Sequence, residues 1–465
     1  MDREFRETEE GKNLLKKYED ALQYNTDIYL QVEDYEYVAH HYLNTGKKNK
    51  ALKAISKGVL QYPFSVELLL EKARILYEVE KYHQALEVID RLETLQPGDF
   101  DVIILKAAVF SHLEKFEDAI HLLQQCLDLV EEKDEVYYNI GITYQHWGKY
   151  DNAIENYKLA IEFNYENEEA TYELAYCLDI TNQLEESISY YEHFIDNDPF
   201  SHNAWYNLGV VYSKLNKWDD ALRAYEYATL LKDDFSSAHF NMGNSYMNLA
   251  RYTEATDAYK KTIELEGPTP DVLCCLAGAY ERLELFESAV SYYKQALKIN
   301  PAYHEAIYGV GSCMESQDKW LEAIHFFKKA LSYDDANPTY LLALADAECN
   351  AGNTITGIEL YVKLAAIDPY NVELWLNWSF VHYEDADFEK AFEVVEQGMD
   401  ELPTEADLYY RAAIYLIHLG KYKDAFVFLE NALTLDFDKH TTLFEFFTDL
   451  ETQKALYKII EQYKK

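Results

Sequence analysis

Proline and glycine are scarce, nine and sixteen in 465 residues. A chain built on tight β-turns needs many more of both, so long helices with short connections are favoured. Basic residues are also few. Forty-two Lys and Arg stand against 83 Asp and Glu, and the resulting formal charge of −41 repels phosphate backbones and anionic lipid surfaces. Nucleic acid and membrane partners are therefore not expected. No apolar run approaches the ~18 residues of a bilayer-spanning helix, and the opening MDREFRETEEGKNLL has no basic segment followed by an apolar one. A cytoplasmic protein is expected. The six cysteines form no CxxC, and only Cys274 and Cys275 adjoin. That fits neither a disulfide framework nor a zinc site. Apolar residues, by contrast, make up 49% and aromatics 15%, which supplies a continuous core and excludes the disordered class.

A length that would otherwise suggest about three domains is organised by internal repetition, with a period of 34 residues. The segment AWYNLGVVYSKLNKWDDALRAYEYATLL from Ala204 aligns with VYYNIGITYQHWGKYDNAIENYKLAIEF from Val136. The frame runs without insertion from Val32 to Lys439, with repeat starts at Val32, Val66, Phe100, Asp134, Glu168, His202, Ser236, Pro270, His304, Pro338, Val372 and Ala406. Position eight is always small: Ala, Gly or Ser. Position twenty is Ala in ten repeats, with Ser187 and Gly357 in the others. Two close helix contacts are implied, where a larger side chain costs roughly 1–3 kcal/mol by overpacking. An aromatic knob recurs at position seventeen, as in Tyr82, Phe116, Tyr150, Trp218 and Phe388, and is expected to fill the space between the small sites. All nine prolines fall at positions thirty-two, thirty-three or one, outside helix interiors. The expected unit is a helical hairpin, its first helix near positions two to fourteen and its second near eighteen to thirty-one.

These residues closely resemble the tetratricopeptide repeat family. His202 to Phe235 carries the pattern as Trp205, Leu208, Gly209, Tyr212, Ala221, Tyr225 and Ala228, with Asp233 in place of the usual proline. The resemblance implies an all-α, right-handed superhelical solenoid of about twelve helix-turn-helix repeats, its first helices lining a concave groove. The expected organisation is a charged segment with a capping helix over residues 1–31, twelve repeats over 32–439 and a C-terminal capping helix over 440–465. In the first segment Leu14, Leu15, Tyr18 and Leu22 lie at helical spacing behind a charged tip. At the other end His440 is expected to start another first helix, which Phe447 spoils by standing where every repeat is small.

No catalytic constellation is found. Gly309 and Gly311 form a GxG inside a first helix with no strand before it, Gly11-Lys12 lacks the rest of a phosphate loop, and no HExxH occurs. His112 and His146 share position thirteen of adjacent repeats, but without a third ligand they make a solvated pair rather than a metal site. No cofactor and no metal are expected, and the chain is read as not an enzyme. In repeat ten three signature positions fail together, at Glu348, Thr354 and Gly357. That predicts a weak joint, with His382 one repeat on as a partner for the buried Glu348 carboxyl.

Family resemblance places ligand peptides along the first helices, near positions two, five, nine and twelve. Tyr138, Tyr172, Tyr206 and Phe240 stand at position five, Asn139, Asn207 and Asn241 at position six, and Asn244 at position nine. These eight are the candidate partner-binding residues: aromatic faces cover apolar and cationic side chains, and amides pair with a peptide backbone. Position two is acidic in nine repeats, which stabilises the helix start and attracts basic segments. The carboxylate clamp of tetratricopeptide co-chaperones is absent, because no repeat has Lys at position five or a basic residue at position two. The expected function is a non-catalytic adaptor or scaffold holding extended polypeptide segments, basic and aromatic ones preferred. The alternative is a substrate-selecting subunit working with a separate catalytic chain.

Overall fold

A computed structural model describes residues 9–463 apart from 25, 27, 128, 132, 166, 448 and 449. Among the described residues the regular structure is helical throughout, in consecutive pairs that follow the 34-residue frame. First helices run typically from position one to thirteen, as in His202–Lys214, and second helices from seventeen to thirty, as in Trp218–Leu231. Both lie one residue earlier than the prolines suggest. In seven repeats the residue just before the repeat start, which the proline argument does not consider, caps the first helix. Ser65, Asp99, Asn167, Ser201, Thr269, Asn337 and Asn371 each accept a hydrogen bond from the backbone N–H three residues on. That N-cap satisfies an orphan donor and fixes the first turn.

The first helix ends equally regularly. Position fifteen has positive φ, between 55° and 87°, in all twelve repeats, although only Gly46, Gly148, Gly352 and Gly420 are glycines. There the N–H of position sixteen bonds back to the carbonyl of position eleven, as Lys217 does to Tyr212 at 2.9 Å. This left-handed turn stops the helix and aims the chain into the second one. Repeat five departs from the pattern, its second helix beginning as a 3-10 turn at Leu184–Glu186. Ser187 replaces the usual Ala, and its hydroxyl donates to the Leu184 carbonyl at 2.7 Å.

The small residue at position eight receives a ring, but not the one expected. A Cβ on Gly141, Gly209 or Gly243 would lie 2.5 Å from the ring of Tyr157, Tyr225 or Tyr259, and one on Gly311 would lie 2.6 Å from Phe327. These rings stand at position twenty-four, on the inner side of the second helix, and are fully buried. The position-seventeen aromatics are only partly buried and stack along the rim instead: Tyr82 on His112 with ring centroids 5.0 Å apart, Phe388 on His418 at 4.8 Å. A residue at the very start of a helix lies too far from the hairpin centre to reach position eight.

The chain divides into two compact units, one ending at Asp233 and the other beginning at Asp234, between repeats six and seven. In the first unit the helix Glu9–Gln23 buries Tyr18 and Ala21 against the opening repeats. The charged tip lies outside the described residues. In the second unit the chain after repeat twelve forms a 3-10 turn, Asp438–Thr442, a single helical turn, Leu443–Phe446, and a helix, Leu450–Tyr463. The first helix expected from His440 is thus broken. Phe447 adopts extended backbone and stacks on His418 at 5.1 Å, because its ring cannot enter a close helix contact.

Repeat ten is compensated at two of its three departures. Glu348, with a side chain only 3% exposed, pairs with Lys328 at 2.6 Å and accepts from Asn353 at 2.7 Å; its partner is not His382. A Cβ on Gly357 would collide with the Cys349 sulfur, so glycine there accommodates Cys349. Leu341, Leu344 and Ala345 are buried.

Candidate functional site

Each first helix turns one face to its own second helix and another outward, and the candidate residues occupy the boundary between them. In the first unit Tyr138 and Tyr206 lean on the buried rings of Tyr157 and Tyr225, centroids 6.0 Å and 5.8 Å apart. Tyr172 is 54% exposed. Asn139 is engaged by its own helix, donating to the Glu135 carbonyl at 2.8 Å, and Asn207 is partly buried. In the second unit Phe240 leans on Tyr259 at 5.8 Å, and Asn244 accepts the Tyr259 hydroxyl at 2.7 Å. Asn241 is partly buried, and its carbonyl accepts from Ser245. The eight residues therefore fall in both units. Several also serve the repeat that carries them, and Tyr172 is the most accessible aromatic. Tyr410, at the same position in repeat twelve, is buried and donates to the Asp436 carbonyl.

Polar groups next to these residues follow from the buried position-twenty-four rings, whose hydroxyls must be satisfied. Tyr157 donates to Gln145 at 2.5 Å, and Gln145 in turn donates to Glu173 at 2.8 Å. Ser213 meets the Tyr225 hydroxyl at 3.0 Å. Burial, with Glu173 and Glu169 nearby, pushes the Tyr138 hydroxyl up from its ordinary value.

In the second unit the same role falls to the Asn244 amide in repeat seven and to carboxylates in repeats eight and ten. Tyr293 donates to Glu281 at 2.9 Å, and Ser312 donates to its other oxygen at 2.6 Å. Tyr361 and Asn377 donate to Asp346. Glu315, at position twelve of repeat nine, differs: the ring at position twenty-four there is Phe327, which has no hydroxyl to give. Burial, then Asp346 and Glu281, raise the Glu315 carboxyl to about 7. Burial raises Asp346 to about 6, against the opposing hydrogen bonds from Tyr361 and Asn377. These three carboxylates were not singled out from the sequence. The available signal was an acid at position nine or twelve in three consecutive repeats.

Much of the acidic rim at position two is already engaged. Asp101 pairs with Arg74 at 2.9 Å, Asp407 with Lys439 at 2.6 Å, and Asp271 accepts from Tyr303 at 2.6 Å. Both histidines of the pair are exposed, as expected, and each also meets a neighbouring hydroxyl. His112 bonds the Tyr77 hydroxyl at 2.9 Å and His146 meets Ser111 at 3.1 Å, and burial lowers the His146 pKa. Among the described residues no group of three or more His, Cys, Asp or Glu has metal-site geometry. All six cysteines are free thiols, and burial pushes Cys177 and Cys313 up to about 12, which leaves them poor nucleophiles. No described helix is long and apolar enough to cross a membrane.

Two models of the tetratricopeptide repeat match the chain, one over residues 135–164 and 202–235 and the other over 168–201, 236–268, 270–303 and 406–439. Every match begins within one residue of the frame set out above. A model of the ChAPs (Chs5p-Arf1p-binding proteins) matches residues 9–145. No curated protein matches the chain. Solved structures similar to it include YrrB, described as a TPR protein with an unusual peptide-binding site, at 22% identity over 40% of this chain and 94% of its own, TM-score 0.33. MamA is 26% identical over 34% of this chain and 93% of its own, TM-score 0.32. The APC/C hetero-tetramer Cut9-Hcn1 is 13% identical over 94% and 97%, TM-score 0.40. With the 34-residue frame, the paired helices and the two repeat models in agreement, the chain is a tetratricopeptide repeat protein, built as a protein-interaction scaffold.

Proposed function

We propose that the chain is a non-catalytic adaptor whose first-helix face binds extended polypeptide segments bearing basic and aromatic side chains. The observation that carries this reading is Glu315. It is a partly buried carboxylate beside two others, it lacks the hydroxyl partner that its neighbours have, and no ion pair among the described residues includes it. A carboxylate in that state gains most from a cation brought by a ligand. Tyr308, on the same first helix and stacked on Tyr340 at 4.8 Å, offers an aromatic surface alongside.

In the first unit Tyr138, Asn139, Tyr172, Tyr206 and Asn207, and in the second Phe240, Asn241 and Asn244, are the proposed further contacts. Tyr172 is the one whose removal should touch binding alone. The name of the ChAPs family, whose model matches residues 9–145, suits a protein ligand.

The test is a set of extended peptides containing Arg and Tyr, measured by calorimetry against the whole chain. Glu315→Gln should weaken binding about tenfold, and affinity should fall as salt rises. Unchanged affinity in both tests would sink the basic preference. Co-purification of a catalytic chain that needs this one to select its substrate would shift the reading to the substrate-selecting subunit.

A further inference from the structure

The second helix of repeat ten, Thr354–Ile367, turns an apolar strip outward. Ile355 is 78% exposed and Val362 51%, at positions eighteen and twenty-five, and Ala366 continues the strip at position twenty-nine. Leu321, at position eighteen of repeat nine, is 71% exposed and widens it. The helix itself has one acid and one base, Glu359 and Lys363. The second helices on either side carry opposite charge. On Trp320–Leu331 the exposed set is Lys328, Lys329 and His325 with a single acid, Glu322. On Phe388–Glu401 it is Glu389, Glu393, Glu396, Asp400 and Glu401 with a single base, Lys390. Lys328 and Lys390 each have a partner within the chain, Glu348 and Asp387, yet their side chains stay 57% and 61% exposed. All three helices lie in the second unit.

An apolar strip between a basic flank and an acidic flank is complementary to itself. A second copy turned by half a revolution about an axis parallel to these helices sets strip on strip and each basic flank on an acidic one. The helices of the two copies then run parallel, and equal repeat positions meet. Glu322 faces Lys390 at position nineteen, His325 faces Glu393 at twenty-two, and Lys328 faces Glu396 at twenty-five. Each pair occurs twice. The antiparallel alternative would set the acidic flank on its own copy. Each copy carries a formal charge of −41, which keeps like molecules apart, so a self-contact requires a local match of this kind. We infer that the outer face of repeats nine to eleven is a two-fold interface between two copies of this chain. Helices about 20 Å long and about 8–10 Å apart give three of them a footprint of about 600 Å² per copy. The total, about 1,200 Å², is the lower end of specific interfaces, so the dimer is reversible rather than permanent. Its residues belong to second helices only, and it does not depend on the adaptor reading. One contact opposes it, because Glu359 meets its own copy at the axis.

The test is sedimentation velocity of the whole chain at concentrations up to about 100 µM, where an interface of this size is populated. A reversible monomer–dimer equilibrium is expected. Val362→Glu should weaken it at least about tenfold, with the melting temperature unchanged because the side chain is exposed and glutamate suits a helix. Glu359→Gln should tighten it by removing the like charges at the axis. His325→Glu should weaken it about fivefold by setting two acids against Glu393 and its copy, and Glu393→Lys added to that variant should restore it. A chain that stays monomeric over the whole range overturns the interface. So does a dimer that Val362→Glu leaves intact, since the contact then lies elsewhere. A dimer broken by Val362→Glu but indifferent to the exchange of His325 and Glu393 overturns the parallel arrangement. A monomer that instead binds a different protein, or vesicles of neutral lipid, through Val362 overturns the second copy as the occupant.

Discussion

In repeats four and six, within the first unit, the buried tyrosines Tyr157 and Tyr225 find their partners in Gln145 and Ser213. In repeats eight and ten, within the second, Tyr293 and Tyr361 find theirs in Glu281 and Asp346. The geometric demand is the same in each case: a ring from the second helix lies on or beside a small residue of the first and carries a hydroxyl that burial forces to be satisfied. The chemistry that meets the demand differs, and with it the charge of the neighbouring surface. The repeat therefore sets where polar residues stand on the first-helix face but not their sign. Phe327 is the informative exception, since it removes the demand while Glu315 retains the charge. An acid without a role in its own repeat is available to a partner.

The largest expected effect concerns the ring itself. Tyr225→Ala or Tyr361→Ala should each cost about 3–5 kcal/mol as large-to-small core changes, read from urea unfolding of the affected unit. Trp218→Ala, at the position expected from sequence to be the knob, should cost distinctly less because that residue is only partly buried. Equal losses would contradict the assignment of position twenty-four as the central contact. Next comes the buried carboxylate of repeat ten. Lys328→Met leaves Glu348 with Asn353 alone and should cost about 1–3 kcal/mol, whereas removing the exposed partner of Glu185, by Lys217→Met, should stay within about 1 kcal/mol.

A smaller effect, opposite in sign, is expected at Glu315. Its carboxyl is raised in the folded chain to about 7, so between the ordinary carboxylate range and pH 7 the folded state holds more protons than the unfolded one. Stability from this group is then present at low pH and lost as pH rises through about 7. Glu315→Gln should accordingly stabilise the second unit at pH 8, by on the order of 1 kcal/mol once partial exposure is discounted, and should change little at pH 4. A melting temperature lowered at pH 8 would show that the carboxylate has a partner within the chain.

The frame, the hairpin and the small positions were legible in the sequence because close helix contacts admit few residue types. Position twenty-four was not, because Ile55, Leu123, Tyr157, Phe327 and Val395 look like interchangeable core residues. A signal was nevertheless present. Gly141, Gly209, Gly243 and Gly311 all go with an aromatic sixteen residues on, whereas the alanines divide: Ala39, Ala73, Ala107 and Ala413 go with Ile or Leu, and Ala175, Ala277 and Ala345 with Tyr. The eight candidate site residues were found by their position in the repeat, which cannot separate Tyr172, exposed, from Asn244, engaged by Tyr259.

The smallest expected effect lies away from this face, at the left-handed turn common to both units. Ala250 has φ 55° and Gly352 φ 87°, each at position fifteen of its repeat in the second unit. A Cβ on Gly352 would meet nothing within 4 Å, so contact does not decide the preference there, and the backbone does. A side chain in this conformation costs roughly 1–2 kcal/mol, while glycine loses about 0.5–1 kcal/mol more entropy on folding. The difference leaves Ala250→Gly stabilising by about 0.5 kcal/mol and Gly352→Ala destabilising by about as much, both small enough to require paired chemical denaturation curves. The opposite signs are the test. If both substitutions move stability the same way, the turn is held by something other than backbone conformation. If they oppose, the eight repeats with a non-glycine residue at this position each carry a small strain that the packing of position twenty-four outweighs, and the differences between the two units lie in what faces a partner.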